Sequence, residues 1–192
     1  MDIFDLIRAR RSIRKYQSRQ IPREALEKVL EAGAYAPSAG GGQRRRIVAI
    51  HDRELCEKVR RLNLNGFDRS RLLGGYVSKE QPSIIDDPTL KSGFYGAPTV
   101  CAIFGPENFL YSIPDAFCCA ENMVLAATEL GLASCIVARG EETFDNEPGR
   151  ELLRQWEVPE NFVARCFVLL GYCQGDYPAS KERKPGQIKI VE

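Results

Sequence analysis

The sequence lacks several features on which common function classes depend. Its 192 residues contain a single histidine, His51, and no Cys-x-x-C motif. One histidine excludes multi-histidine metal sites and leaves any histidine-based catalytic triad dependent on that residue alone, so we predict no metal site. No G-x-G-x-x-G motif follows a predicted strand, and no Walker-type lysine follows a glycine-rich loop. Both common nucleotide-binding folds are therefore disfavoured.

Long apolar runs and a strong net charge are also missing. No run of about 18 apolar residues occurs, so we expect no transmembrane helix. The opening MDIFDLIRAR lacks the apolar core of a secretory signal. The 27 Lys and Arg residues stand against 26 Asp and Glu, a formal net charge of +1. This balance argues against a general nucleic-acid or membrane-surface binder.

Cysteine usage indicates the redox compartment. The seven cysteines are an odd number, and most lie inside apolar runs such as TVCAIF. Such a pattern is typical of buried, reduced thiols. We therefore expect a cytoplasmic protein whose adjacent Cys118 and Cys119 pack in the core.

The apolar pattern predicts one α+β domain over residues 1–192, and it fits neither a repeat array nor a parallel βαβ series. The expected helices span 2–9, Pro22 to near Gly33, 52–62, near Pro114 to Gly131, and 151–156. The expected strands are 46–50, 99–104, 133–137, 163–171 and the closing IKIV. The helix ending at Gly131 is apolar on nearly every face, which predicts a position in the middle of the core. Residues 63–96 are irregular and predict an excursion or lid.

Basic residues are concentrated near the N-terminus. Residues 8–23 hold seven of them and no acidic residue. Within R-R-S-x-R, arginine forks and the hydroxyl of Ser12 can surround one phosphate. Two further clusters are Arg44–Arg46 and the tail residues Lys181, Arg183 and Lys184. Each cluster has an alternative interpretation as a solvated surface, and Arg44–Arg46 have a third, as a patch that steers an anionic dinucleotide.

These segments resemble the FMN-dependent nitroreductase family in their order along the chain. The similar segments are R-R-S-I-R-K-Y after the first helix, the loop APSAGGGQ, the stretch FYGAPTVCAIF, the long run DAFCCAENMVLAATELGLASCIV, and LGY followed by P-x-x-K-x-R-K. They cover nearly the whole chain except residues 63–92. One difference lies in the loop, where the family carries Asn followed by Gln-Pro-Trp and this chain carries Gly41, Gly42, Gln43, Arg44 and Arg45.

The resemblance implies a homodimer with FMN at the interface, reduced by NADH or NADPH. It implies a central antiparallel or mixed sheet flanked by helices, a long buried central helix, and a C-terminal arm (172–192) whose strand is exchanged between subunits. By position, the expected cofactor-binding residues are Arg10, Arg11, Ser12, Arg14, Pro37, Ser38, Ala39, Gly41, Gln43, Ile136, Val137, Ala138, Lys181 and Arg183. Lys91 is a candidate for a mid-chain ligand.

The resemblance implies that each of these segments contacts a different part of the FMN molecule. Arg10 and Ser12, with Lys181 and Arg183 from the tail, would hold the phosphate, and Arg14 would stabilise negative charge at the N1/O2 edge of the ring. The proline–serine loop (residues 36–43, APSAGGGQ) would approach the flavin from the other subunit. The expected activity is electron transfer from NAD(P)H to a small acceptor such as a nitroaromatic, quinone or enone, by a ping-pong mechanism. Two alternatives remain open, namely a non-catalytic flavin-binding or redox-sensing protein and a phospho-ligand or RNA-binding protein.

Overall fold

The computed structural model describes residues 1–66, 92–138 and 140–192. Most of the expected excursion at 63–96, including Lys91, lies outside the described residues. Its first residues belong to a regular helix, because the helix that begins at Arg53 continues to Asn65.

Five helices and four strands are described. In chain order they are α1 (Ile3–Ala9), α2 (Arg23–Ala34), β1 (Arg46–Ile50), α3 (Arg53–Asn65), β2 (Thr99–Pro106), α4 (Ser112–Glu129), β3 (Ala133–Val137), α5 (Glu147–Gln155) and β4 (Phe162–Gly171), with 3-10 turns at Ala39–Gly41 and Glu141–Thr143. The α+β class expected from the sequence is confirmed. The strands form one sheet in the order β1-β2-β4-β3, and every pairing is antiparallel.

Local signals set the helix ends. The side chain of Asp2 accepts from the amides of Phe4 and Asp5, and that of Asp52 accepts from the amide of Leu55. Both satisfy amide groups that the first turn of a helix leaves unpaired. The predicted helix 151–156 starts too late, because Asn146 caps a helix that begins at Glu147.

The sheet is covered on both faces. Alternate residues of β2 enter two clusters, with Val100, Ala102 and Phe104 on one face and Cys101 and Ile103 on the other. Burial on both faces explains why β2 and β4 are continuous apolar runs rather than alternating ones. The strand expected at 99–104 is longer than predicted, since β2 pairs with β4 as far as Pro106.

The second face packs against α2 and α4, which approach each other closely at Gly33. A Cβ on Gly33 would lie 2.7 Å from the Cγ of Met123, so a larger residue there would require the Met123 side chain or the helices to shift. The expectation that α4 is buried all round is wrong for the single chain. Its outer face leaves Ile113 half exposed, and Cys118, predicted to pack in the core, is exposed.

A β-bulge in β4 buries an arginine. Ile103 pairs with Cys166 and Phe104 pairs with Ala164, so Arg165 is an extra residue opposite that step. Its guanidinium donates to Ser112 Oγ at 2.9 Å, to the carbonyls of Pro106 and Glu107, and to Glu141. Each nitrogen of the buried guanidinium is thus hydrogen-bonded, as such groups require.

The cysteines mostly follow the sequence expectation. The five buried thiols are those of Cys56, Cys101, Cys119, Cys135 and Cys166. Burial raises the pKa of Cys56 and Cys166 to about 12 and that of Cys119 to about 11. These thiols therefore stay protonated at neutral pH and behave as small apolar side chains.

The C-terminal arm is exposed in the single chain. Residues 188–191, expected to form a strand, pair with no described strand, and Ile188 and Ile190 are 88% and 81% exposed. Exchange of this strand with a second subunit therefore stays a prediction.

Candidate functional site

The arginine-rich segment after α1 docks along the free edge of β3. The amide of Ile13 donates to the carbonyl of Ser134 at 2.8 Å, and Ser12 forms a parallel bridge with the same residue. Further on, the amide of Gln17 donates to the carbonyl of Tyr172 at 2.9 Å. The buried side chains of Ile13 and Tyr16 fix the segment to the core.

Docking gathers three polar side chains beside β3. Nη1 of Arg10 lies 3.5 Å from the hydroxyl of Ser12, and Nη1 of Arg14 lies 3.4 Å from the carbonyl oxygen of Ser12. The guanidinium of Arg14 also lies 5.9 Å from the centre of the Tyr95 ring. The sequence-predicted residues Arg10, Ser12 and Arg14 therefore lie together.

The positive charge of this group is largely uncompensated. The ion pair of Arg10 is with Glu121, at 3.8 Å and half exposed, a type of pair that contributes little. Arg14 has no ion pair with any residue in 1–66, 92–138 or 140–192. Burial raises the pKa of the Cys135 thiol, and the charges of Arg14 and Arg10 act in the opposite direction. Both charges are therefore close enough to influence the pKa of a buried side chain of β3.

Arg11 is occupied differently from its neighbours. Its Nη1 donates to the carbonyls of Arg8 and Arg10, both at 2.6 Å, and so satisfies the C-terminal end of α1. Its Nε is buried, and no described residue accepts from it. The structure therefore shows a capping role for this residue, while its predicted role as a cofactor ligand stays a prediction.

The proline–serine loop, residues 36–43, is polar and tightly curved. Gly40 and Gly41 have φ of 58° and 64°, and Gln43 has φ of 50°, a left-handed conformation that residues other than glycine rarely adopt. The hydroxyl of Ser38 accepts from the amide of Gln43 at 2.9 Å and closes the turn. The loop residues and Tyr35 line a cavity of about 490 Å³.

Two side chains from outside the loop hold it in place. Arg45 Nη2 donates to the carbonyls of Ala34 and Ala36, both at 2.7 Å. Asp115, buried in the first turn of α4, accepts from the amide of Ala39 at 3.0 Å. The bond joins residues 76 positions apart, so no local signal in the sequence points to this role of Asp115.

The arginines 44–46 all donate to backbone carbonyls, and none of them has an ion pair among the described residues, so their steering role stays a prediction. Arg44 donates to the carbonyl of Ala39 at 3.3 Å and lies 5.1 Å from the Phe109 ring. Arg46 donates to the carbonyl of Glu157 at 2.8 Å. These contacts support the fold and the loop.

The remaining predicted residues lie apart in one chain. Ile136 and Val137 end β3, two and three residues after the site where Ser12 docks, and Ala138 follows them on the surface. Lys181 and Arg183 lie on the exposed arm. Within the described part of the chain, no hydrogen bond or ion pair joins Arg10, Ser12 or Arg14 to Lys181, to Arg183 or to the proline–serine loop.

Comparison with known proteins assigns this arrangement to a family. The family model described as the nitroreductase family matches residues 7–172. The chain belongs to the nitroreductase family. A crystal structure of a nitroreductase with bound FMN from Bacteroides fragilis is 32% identical, covers all of both chains and has a TM-score of 0.80. A second FMN-bound nitroreductase, from Desulfitobacterium hafniense, is 24% identical over 98% of this chain and 97% of its own, with a TM-score of 0.79, which shows the fold.

A sequence relative supports the same membership. A protein of Archaeoglobus fulgidus with the provisional name NADH dehydrogenase/NAD(P)H nitroreductase is 30% identical over 189 residues, covering 95% of this chain and 94% of the relative. The nitroreductase assignment expected from the sequence is confirmed.

The described helices include no candidate for a membrane span, since none combines the necessary length with sufficient hydropathy.

Proposed function

We propose that this nitroreductase-family chain is an FMN-dependent oxidoreductase that takes electrons from NADH or NADPH and passes them to a small acceptor. The observation that carries the proposal is the uncompensated group of Arg10, Ser12 and Arg14 beside β3. Support comes from the FMN bound to the Bacteroides fragilis relative. Nitroaromatics, quinones and enones are the acceptor class we propose.

The chemistry of these side chains fits FMN. A phosphate monoester carries about −1.5 to −2 charges, which Arg10 and the hydroxyl of Ser12 would hold. Arg14 would face the N1/O2 edge of the flavin, where a cation stabilises negative charge that develops on reduction. The half-buried position of Arg14, with no carboxylate pairing with it among the described residues, leaves that charge available.

The protein contributes binding and electrostatics rather than a catalytic triad. Bound FMN supplies the hydride-accepting chemistry, which no amino-acid side chain provides. Nδ1 of His51 lies 2.8 Å from Thr99 Oγ1, beside the start of β2, so its ring is occupied there. Donor and acceptor would enter the same pocket in turn, which gives ping-pong kinetics.

We also propose that the working form is a homodimer. The chain exposes apolar side chains at both ends, where a monomer would expose them to water at a cost. They include Ile3, Phe4 and Ile7 of α1 and Ile188, Ile190 and Val191 of the arm. A second subunit would cover them, receive the strand 188–191 at its sheet edge, and bring Lys181, Arg183 and the proline–serine loop to the flavin.

The identity of the cofactor tests the proposal. We expect the purified protein to be yellow and mass spectrometry of the heat-released cofactor to identify FMN. FAD is not expected, because the sequence has no dinucleotide fingerprint for an adenosine half. Recovery of FAD, or a colourless protein that takes up no FMN on reconstitution, would contradict the proposal. Nucleic-acid affinity that falls steeply with salt would instead favour the RNA-binding alternative.

Replacing the two arginines should separate binding from chemistry. Arg10→Ala removes a charge-assisted contact worth about 1.5–3 kcal/mol, so FMN affinity should fall about ten- to hundredfold. Arg14→Ala should mainly slow reduction by NAD(P)H. The measurements are FMN titration by fluorescence and stopped-flow reduction. Arg8→Ala is the control, since Arg8 is exposed on α1 and pairs with Asp5. Equal FMN affinity in Arg10→Ala and the control would place the phosphate elsewhere.

Deleting residues 176–192 should abolish both the dimer and FMN binding. The deletion removes the strand 188–191 and the phosphate contacts of Lys181 and Arg183, and cofactor binding stabilises the dimer by linkage. Size-exclusion chromatography with light scattering and flavin content are the measurements. The full-length variant Lys181→Ala/Arg183→Ala should stay dimeric and lose FMN affinity, which separates the two effects. A soluble dimeric truncation that retains flavin would show that the arm is dispensable.

A further inference from the structure

We propose that Asp115 and Arg45 are positioning residues that fix the shape of the proline–serine loop before the cofactor binds. The inference rests on the proposed function, in which this loop contacts the flavin. It gives a role to Asp115, for which the sequence predicted none, and gives Arg45 a role different from anion binding or steering.

The loop cannot hold its own shape by packing. Pro37 and the four residues 40–43 are exposed, so little apolar burial is available to order them. Gln43 in addition adopts the left-handed conformation, which is unfavourable for a residue with a side chain. An exposed segment with such backbone angles keeps one conformation only when surrounding contacts impose it.

Arg45 fixes the start of the loop. It donates to two carbonyl oxygens, those of Ala34 and Ala36, at 2.7 Å each. Its Nη1 also lies 3.5 Å from the carbonyl oxygen of Pro37. One planar guanidinium thus joins the last turn of α2 to the entry of the loop, which the ammonium of a lysine could not do with the same geometry.

Asp115 fixes the middle of the loop. Its Oδ1 accepts from the amide of Ala39, at the point where the 3-10 turn begins. The carboxylate belongs to α4, the longest described helix, whose inner face is buried against the sheet. A loop amide held by this helix has a fixed position relative to the sheet.

The burial of Asp115 is costly for stability. The residue is only 6% exposed, and no described group donates to its Oδ2. A buried carboxylate that is incompletely hydrogen-bonded destabilises a fold relative to a neutral residue. The amide of Ala39 is the described hydrogen-bond donor to this carboxylate, so the loop contact accounts for the placement of Asp115.

The guanidinium of Arg45 lies close to the part of α4 that carries Asp115. Burial raises the pKa of the Cys119 thiol to about 11, and the charge of Arg45 acts in the opposite direction. Cys119 follows Asp115 by four residues and so lies on the same side of the helix. Asp115 therefore ties the loop to α4, and Arg45, which lies near the same helix, ties it to the last turn of α2.

The order of the loop before binding affects the apparent affinity for FMN. If Pro37, Ser38 and Ala39 already have their final positions, FMN binding requires no further ordering of the loop. Without the Asp115 bond, the loop populates other conformations, and the apparent affinity falls by the fraction that is competent to bind.

Three variants and two controls test the inference. Asp115→Ala removes the acceptor, whereas Asp115→Asn retains an oxygen that can accept from the Ala39 amide. Arg45→Met removes the guanidinium that holds the loop. Arg46→Met removes the neighbouring guanidinium, which donates to the carbonyl of Glu157 and not to the loop. Leu152→Ala, on the buried side of α5, controls for a general loss of stability.

Two measurements are made on each full-length variant. Hydrogen exchange, followed by mass spectrometry of the peptide containing residues 36–43, reports loop order in FMN-free protein. Fluorescence titration reports FMN affinity. Asp115→Ala and Arg45→Met should exchange faster and bind FMN about tenfold more weakly, as expected for loss of charge-assisted hydrogen bonds. Asp115→Asn should stay within about twofold of the parent protein, as should both controls.

Failure of the inference is distinguishable from failure of the proposed function. Unchanged loop exchange in Asp115→Ala, or an Asp115→Asn variant as impaired as Asp115→Ala, would overturn the inference whether or not FMN binds. Absence of FMN binding by the parent protein would overturn the proposed function, and faster loop exchange in Asp115→Ala would then still establish the anchor.

Discussion

The candidate site depends on one backbone contact, the docking of the segment after α1 against the free edge of β3. The bond from the Ile13 amide to the Ser134 carbonyl sets the register, and the bond from Gln17 to Tyr172 continues it past the end of β4. Buried Ile13 and Tyr16 then hold the segment while the polar residues between and before them stay accessible. A shift by one residue would exchange these two sets of side chains.

The positive charges of Arg10 and Arg14 lie on a different part of the structure from the elements that make the site rigid. The positive charge lies on an exposed strand-like segment, whereas rigidity comes from a sheet buried on both faces and from α4. The same helix carries Asp115, which holds the proline–serine loop. The two polar parts of the site thus rest on β3 and α4, which pack against each other. Positioning of this kind is what a cofactor enzyme requires of its protein.

Much of this could be predicted from the sequence, because the relevant signals are local. Asp2 and Asp52 mark helix starts, apolar runs mark β2 and β4, and the motif around Ser12 indicates an anion-binding segment. Features that depend on strand register or on distant partners could not be predicted. The bulge that buries Arg165 appears only when β2 and β4 are paired. Asp115 resembles an ordinary first-turn acid until the loop 76 residues earlier is placed above it. The exposure of Cys118 likewise follows from which face of α4 meets the sheet.

The most direct test of the central claim is anaerobic reduction of the purified protein by NADH and by NADPH, followed through the visible absorption of the bound flavin. The account predicts that at least one donor bleaches the flavin band completely and that an added quinone or nitroaromatic restores it, with one flavin per subunit. A flavin that stays oxidised in excess of both donors, in protein fully loaded with FMN, would contradict the assignment of this chain as an NAD(P)H-dependent oxidoreductase.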